Sequence, residues 1–423
     1  MTQSSTAGTA TRVDDARGAA ALARRTGDAL THEGVLDRAA VQARERRFDD
    51  VFIVDADFHH IEGDFWSELL QFVPNEVIRD LLLAGGTGKS WIPGLVNTGG
   101  MQEVGGRIQP VRARARDRQD SEAGGSRDLR LVREAIDAMS VDRVAVFPQS
   151  LLGLGASSFA EQFETQLAFA YARWVTERMI PEEPRVITML YLPFSDPEAC
   201  LRLVEEFGDR PGVVGFMVTT TRFQQVHAKQ YMPLYRALEE RNLVLSFHGG
   251  FSLGEHTTAP LNKFVAVHSI GFPLYHMIHV TNWLVNGLPE RFPKLKVFLI
   301  EGGVAWIPFL MRRLDHEVMM RPSEAPLLQR LPSEYMRDFF YTTQPLEASP
   351  LRGLQEIFEQ MNASTQLLWS SDWPHWDWEP PSRVWDLPFL DEQGKRGILG
   401  TNACRLFDIV PDKGPGAHGN GAS

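Results

Sequence analysis

Eight short runs of β-branched and aromatic residues recur along this chain, each followed by a stretch with helical spacing, and this alternation restricts the fold more than any other feature. The runs are Val51–Asp55, Val141–Pro148, Arg185–Leu192, Val213–Thr219, Leu243–His248, Leu295–Glu301, Asp338–Thr343 and Gln366–Ser371. Between them fall helical segments such as Phe159–Arg178, Pro197–Phe207, Gln230–Arg241, Tyr275–Val285, Ala305–Arg313, Leu351–Met361 and Glu392–Phe407, several opened by Pro, Asp or Ser. Strand, helix and strand again is the βα unit of a parallel sheet. Eight such units predict an α/β fold of the (β/α)8 TIM-barrel type, although a doubly wound open sheet shares the local rhythm.

The barrel body is expected over residues 48–409. Residues 1–47 form an N-terminal tail, mobile to about Asp28, with a helix predicted over Val35–Arg46, and residues 410–423 are a Gly-rich C-terminal tail; both termini are expected to be disordered. One long interruption, residues 62–133, separates the first two strands, and it carries an amphipathic piece, Phe65–Leu83, and a basic run from Arg107 to Arg118. An insertion after a barrel strand sits over the catalytic face, which makes this one a candidate lid or specificity element. A second interruption, Gly249 to Phe272, is a further candidate wall of the pocket.

Composition narrows the function classes. Lys plus Arg is 43 against 54 Asp plus Glu, a formal net charge of -11, so a phosphate backbone would be repelled and no nucleic-acid partner is expected. Only two cysteines, Cys200 and Cys404, are present, which excludes a disulfide scaffold or an all-thiolate zinc site and suggests a reducing compartment, with the cytoplasm as the default. No apolar run approaches the roughly 20 residues of a membrane span, and the N-terminus lacks the apolar stretch of a secretory signal. A homodimer is the usual expectation for such a protein.

The chemistry gathers at strand ends. Asp57 and His59 follow the first strand, His248 ends the fifth, Glu301 ends the sixth and Asp372 follows the eighth. In a parallel barrel those ends converge on one mouth. Carboxylates and imidazoles brought to one point desolvate and repel one another unless a cation neutralises them. Residues i and i+2 of an extended segment share a side, so Asp57 and His59 can hold one ion together. This N/O donor set suits Zn, Mn or Fe, as one ion or two. Trp66, Trp91, Trp373, Trp376 and Trp378 offer aromatic surface, with Trp66, Trp373 and His375 as candidate substrate contacts. His60 points away from its neighbour's side and reads as supporting, and His276 and His279, at i and i+3, read as core histidines.

The motif Asp57-Phe58-His59 resembles the first metal motif of the amidohydrolase superfamily, the metal-dependent (β/α)8 enzymes. Within it, the runs Gly287–Val297, Trp306–Phe309, Ser371–His375 and Ile398–Phe407 are similar to the amidohydrolase-2 branch, which contains aminocarboxymuconate semialdehyde decarboxylase and the resorcylate decarboxylases. The resemblance implies that Asp57, His59 and His248 bind metal, and that Asp372 binds it while taking a proton from bound water or substrate. One departure stands out. In the decarboxylases of that branch the sixth strand ends in His followed by Gly, whereas this chain has Glu301, a residue suited to binding a metal, holding a second one or acting as general base toward water.

That departure tilts the expectation toward a hydrolase in which Asp372 and Glu301 are catalytic. The metal would lower the pKa of its water to about 7, and the hydroxide would attack an amide, ester or thioester of an apolar or ring-containing small molecule. The alternative is a non-oxidative decarboxylase of an aromatic or unsaturated carboxylic acid on the same platform. A catalytically silent binding protein is the third class.

Overall fold

The computed structural model describes residues 32–60, 66–85, 127–149, 151–154, 161–220, 224–250, 257–261, 263–347, 350–411 and 413. Residues 1–31, the C-terminal tail apart from 410, 411 and 413, most of the 62–133 insertion with Trp91 and the Arg107 to Arg118 run, and part of the Gly249–Phe272 segment lie outside the described residues. The helix His32–Glu45 is described, and its Val35, Leu36, Ala39 and Ala43 are buried in the core, so this part of the predicted tail packs with the body.

Eight strands form one sheet in chain order, every neighbouring pair parallel: β1 (Val54–His60), β2 (Arg143–Pro148), β3 (Val186–Tyr191), β4 (Val213–Thr219), β5 (Val244–His248), β6 (Val297–Ile300), β7 (Phe340–Thr342) and β8 (Leu367–Leu368). The chain beyond β8 then bonds back to β1. Ala56 N donates to Trp369 O (3.1 Å), Asp372 N to Asp57 O (2.9 Å) and His59 N to Trp373 O (2.7 Å), which closes the sheet into a (β/α)8 TIM barrel. Nearly all strand residues are buried on both faces, as expected of a parallel barrel packed inside and covered by helices outside.

Local chemistry explains some helix limits. The Asp196 side chain accepts from Ala199 N (2.9 Å) and Pro197 takes the first helical position, so Pro197–Phe207 starts where it does. Leu351–Met361 ends at Asn362, which adopts the left-handed conformation (φ 60°). Several limits differ from expectation. β8 keeps only Leu367–Leu368 of the predicted Gln366–Ser371, and the helix predicted over Ala305–Arg313 runs over Trp306–Met320. The helix predicted from Tyr275 starts at Phe264 and runs through Pro273 to Val285. β1 begins and ends later than predicted, at Val54 and His60, because pairing with β2 resumes after a register shift between Asp55 and Phe58 and carries the polar residues into the ladder. Asp57 and His59 therefore lie within the strand, not after it. No helix among the described residues is long and apolar enough to cross a membrane.

At the opposite end of the barrel, Glu183 receives Arg185 Nε at 2.8 Å and Arg133 Nε at 2.9 Å. The Arg185 bond, with Arg133 beside it and against the cost of burial, lowers its pKa from 4.5 to about 2. A carboxylate depressed in the folded state stabilises above its unfolded pKa and loses that contribution as pH falls through the folded value. We expect Glu183→Gln to cost about 1 kcal/mol at pH 7 after allowing for solvent screening. Urea melts should show the difference from wild type shrinking as pH drops below about 4.5 toward 2; a difference that persists at low pH would assign the effect to packing.

Candidate metal and active site

Alternation along β1 directs Asp57 and His59 to the same inner side of the barrel. His248 is the last residue of β5, Glu301 is the first residue past β6, and Asp372 lies in the segment after β8 that closes the barrel. All five are buried and meet at the C-terminal mouth. Asp57 Oδ1 is 3.3 Å from His59 Nε2 and 3.1 Å from His248 Nε2; His59 Nε2 is 3.1 Å from Asp372 Oδ1; His248 Nδ1 is 3.5 Å from Glu301 Oε2. His375 joins them, its Nδ1 2.7 Å from Asp372 Oδ1 and 3.8 Å from Glu301 Oε1, its ring stacked on His59. Donor atoms of Asp57, His59, His248 and Glu301 lie within 4.8 Å of one another, as do those of His59, Asp372 and His375.

The backbone is bent to achieve this. Glu301 (φ 60°) and Asp372 (φ 56°) both hold left-handed conformations that non-glycine residues rarely adopt, and such outliers persist where surrounding bonds impose them. Glu301 N donates to Thr342 Oγ1 (2.9 Å). At Gly249 a Cβ would fall 2.5 Å from the Glu301 carbonyl oxygen and 2.3 Å from the Phe272 ring, so only glycine lets these two loops approach. Asp55, also buried, accepts from Ser371 N (2.9 Å) and Asp57 N (3.2 Å) and thereby ties the two ligand-bearing segments together. Burial raises its pKa to about 8, against those bonds.

Electrostatics marks the cluster as built around positive charge. Burial would raise Asp57, yet the neighbouring His248 and His59 outweigh it and hold the carboxyl below its ordinary value. Asp372 is lowered likewise, burial being overcome mainly by His375. Burial opposes a charge on His59, but Asp57 and Asp372 raise its pKa to about 10. Glu301 moves the other way: burial, then the charges of Asp372 and Asp57, push it well above the usual range. Asp57 Oδ2, both His59 ring nitrogens and both Asp372 oxygens are buried and complete no aligned hydrogen bond. Orphaned donors of these types converging on one point fit a divalent cation, which would satisfy them together.

The surrounding residues have varied places. His60 lies outside the cluster, with Nε2 2.9 Å from the Tyr171 hydroxyl and its ring stacked on Tyr171 and Trp174. His276 Nε2 meets Ile300 O at 2.8 Å and His279 Nε2 meets Thr220 O at 2.7 Å, both as core histidines. Trp373 is buried edge-on against Trp378, and its backbone carbonyl serves the barrel closure. Trp66 belongs to the apolar core on the helix Trp66–Leu70, which packs on Glu161–Trp174.

Sequence reasoning passed over Asp55, Gln149, Gln344 and Asp377. Asp55 shares the two-residue period of Asp57 and His59, a usable signal. Gln149 reaches His375 Nε2 at 2.6 Å from just past β2, and Gln344 lies just past β7, positions as diagnostic as those of the acids. Asp377 is raised to about 8 by burial and then by Asp372.

Comparison with known proteins places this geometry. The amidohydrolase family Amidohydro_2 matches residues 112–409. Gamma-resorcylate decarboxylase of Rhizobium sp. (strain MTP-10005) is 22% identical over 247 residues, covering 56% of this chain and 74% of that protein. The crystal structure of 5-carboxyvanillate decarboxylase from Sphingomonas paucimobilis superposes with a TM-score of 0.61 at 19% identity, covering 85% of this chain and 99% of the other. A dihydroxybenzoic acid decarboxylase from Polaromonas sp. JS666, solved with manganese and the inhibitor 2-nitroresorcinol, gives 0.57 at 17% identity, covering 85% and 97%. At these identities the structural likeness speaks for the fold.

The hydrolase expectation, thioester cleavage included, is corrected by these findings, because the curated relative, matched over 74% of its own length, is a decarboxylase. The physical reason lies at Glu301. Its role as a water-activating base required an ionised carboxylate, and burial beside Asp372 and Asp57 shifts it away from that form. With the family match spanning well over half of its 423 residues, the chain belongs to the amidohydrolase family Amidohydro_2.

Proposed function

We propose that this protein is a divalent-metal-dependent, non-oxidative decarboxylase of an aromatic or unsaturated carboxylic acid. The observation that carries the reading is the convergence of Asp57, His59, His248 and Asp372, with Glu301 beside them, around one buried point at the barrel mouth. The decarboxylase relatives support the reaction type, and the manganese in the Polaromonas protein favours Mn among the ions this thiolate-free donor set accepts. Held by Asp57, His59, His248 and Asp372, the cation would supply positive charge to offset the negative charge of the substrate carboxylate.

The reaction exchanges carbon dioxide for a proton. The bond from ring carbon to carboxylate breaks, its electron pair stays on the ring carbon, and a proton closes that valence. Asp372 is assigned the transfer, since its Oδ1 faces both His59 and His375. His375 bridges Asp372 to Glu301, whose carboxyl burial and the charges of Asp372 and Asp57 push toward its neutral form. Gln149, in contact with His375 Nε2, holds that ring in place.

We further assign residues 48–409 to a single catalytic unit. The 62–133 segment is assigned to specificity, because it leaves β1 at the end that carries Asp57 and His59. A reducing, cytoplasmic setting agrees with Cys200 and Cys404 not being joined in a disulfide. The test is to load the protein with Mn, incubate it with a panel of hydroxylated benzoic acids and trap released carbon dioxide. Release from at least one member, abolished by chelation, is expected; a fully loaded protein that releases none would sink the assignment.

A further inference from the structure

Beside the ion-binding cluster lies a second group of polar side chains that the reaction above does not use. Gln344 sits two residues past β7 and is fully buried. Its backbone N–H donates to Ser370 Oγ (3.3 Å), and Thr342, two residues earlier, holds Glu301 N, so Gln344 is wedged between the loops bearing Glu301 and Asp372. Its carboxamide faces the Asp377 side chain. Even so, neither Nε2 nor Oε1 of Gln344, nor Oδ1 of Asp377, completes an aligned hydrogen bond. Asp377 is close enough to Asp372 and Glu301 for each to feel its charge. Between His375 and Asp377, the Trp376 ring meets the His268 ring edge-on at 5.6 Å, which adds an aromatic surface.

Buried polar atoms are nearly always paired, so an amide whose geometry toward Asp377 is incomplete, and whose other end meets nothing, implies a ligand group that completes the set. We propose that Gln344 and Asp377 form a subsite that reads a hydroxyl on the substrate ring, the hydroxyl accepting a hydrogen bond from Gln344 Nε2 and donating one to a carboxyl oxygen of Asp377. The chemistry selects among ring substituents. A hydroxyl both donates and accepts; a methoxy group cannot donate and leaves an acceptor unmatched; a second carboxylate meets the acidic side of Asp377, Asp372 and Glu301. Sites built to bond a hydroxyl reject analogues that lack it far more strongly than apolar pockets reject a missing methylene. This inference rests on the decarboxylase reading for the kind of ligand, not for its geometry.

The experiment is calorimetric titration of the Mn-loaded protein with benzoate and with benzoates carrying one hydroxyl, methoxy or second carboxylate at each ring position. One hydroxyl isomer should bind at least tenfold tighter than benzoate and than its methoxy and carboxylate counterparts. In Gln344→Leu and, independently, Asp377→Ala, that preference should fall below threefold while benzoate affinity stays within twofold. No hydroxyl preference in the parent protein, or its survival in whichever variants retain the parent near-UV circular dichroism, overturns the subsite. Carbon dioxide release is scored separately. A protein with the preference but no release keeps the subsite and loses the decarboxylase, whereas release without the preference does the reverse.

Discussion

The Asp372→Asn variant should release carbon dioxide about 10²- to 10⁴-fold more slowly than the parent protein, the range found when a positioned acid–base group is removed. Asn keeps the size of the side chain and one oxygen for a cation, but it cannot take up or deliver a proton. Asp372 is the only acid in direct contact with both His59 and His375 among the described residues, at 3.1 and 2.7 Å, so no neighbour occupies an equivalent position. Elemental analysis of the variant decides what the loss means. Near-normal metal content with collapsed turnover assigns proton transfer to Asp372. Turnover within tenfold of the parent, at full metal content, would remove it from the chemistry.

A comparable loss is expected from His59→Ala, for a different reason. His59 belongs to both sets of converging donors, Asp57–His59–His248–Glu301 and His59–Asp372–His375, so its removal leaves neither complete. The variant should purify with well under one ion per chain and show no turnover above background. Its unfolding temperature should also fail to respond to added Mn. In the parent, an ion supplied at a thousandfold excess over its Kd stabilises the folded state by about 4 kcal/mol. A His59→Ala protein whose thermal midpoint still rises with Mn as the parent's does would place the ion elsewhere.

The barrel is legible in the sequence because its strands are buried on both faces, and β-branched runs such as Val213–Thr219 read as strands of a parallel sheet. The residues proposed to bind an ion are legible for a topological reason. A parallel barrel gathers one end of every strand, so His248, Glu301 and Asp372 can be picked out by position alone. What escaped was set by contacts between distant segments. β1 extends to His60 because β2 and the closing segment pair with it, which no local pattern announces. Glu301 reads as a base in isolation, and only its burial and the packing of Asp372 and Asp57 around it raise its pKa. Gln344 and Asp377 carry no motif; they become visible once β7 and the segment after β8 stand side by side.

The barrel's last joint has a consequence for how such a protein diversifies. β8 contributes only Leu367 and Leu368 to the sheet, and the bonds completing the circle pass through the backbone of Asp57, His59, Asp372 and Trp373. Circumference and reaction centre are thus one piece of masonry: a shift in the keystone would open the wall. Lineages that change substrate are therefore expected to leave these positions untouched and to vary the loops that overhang them.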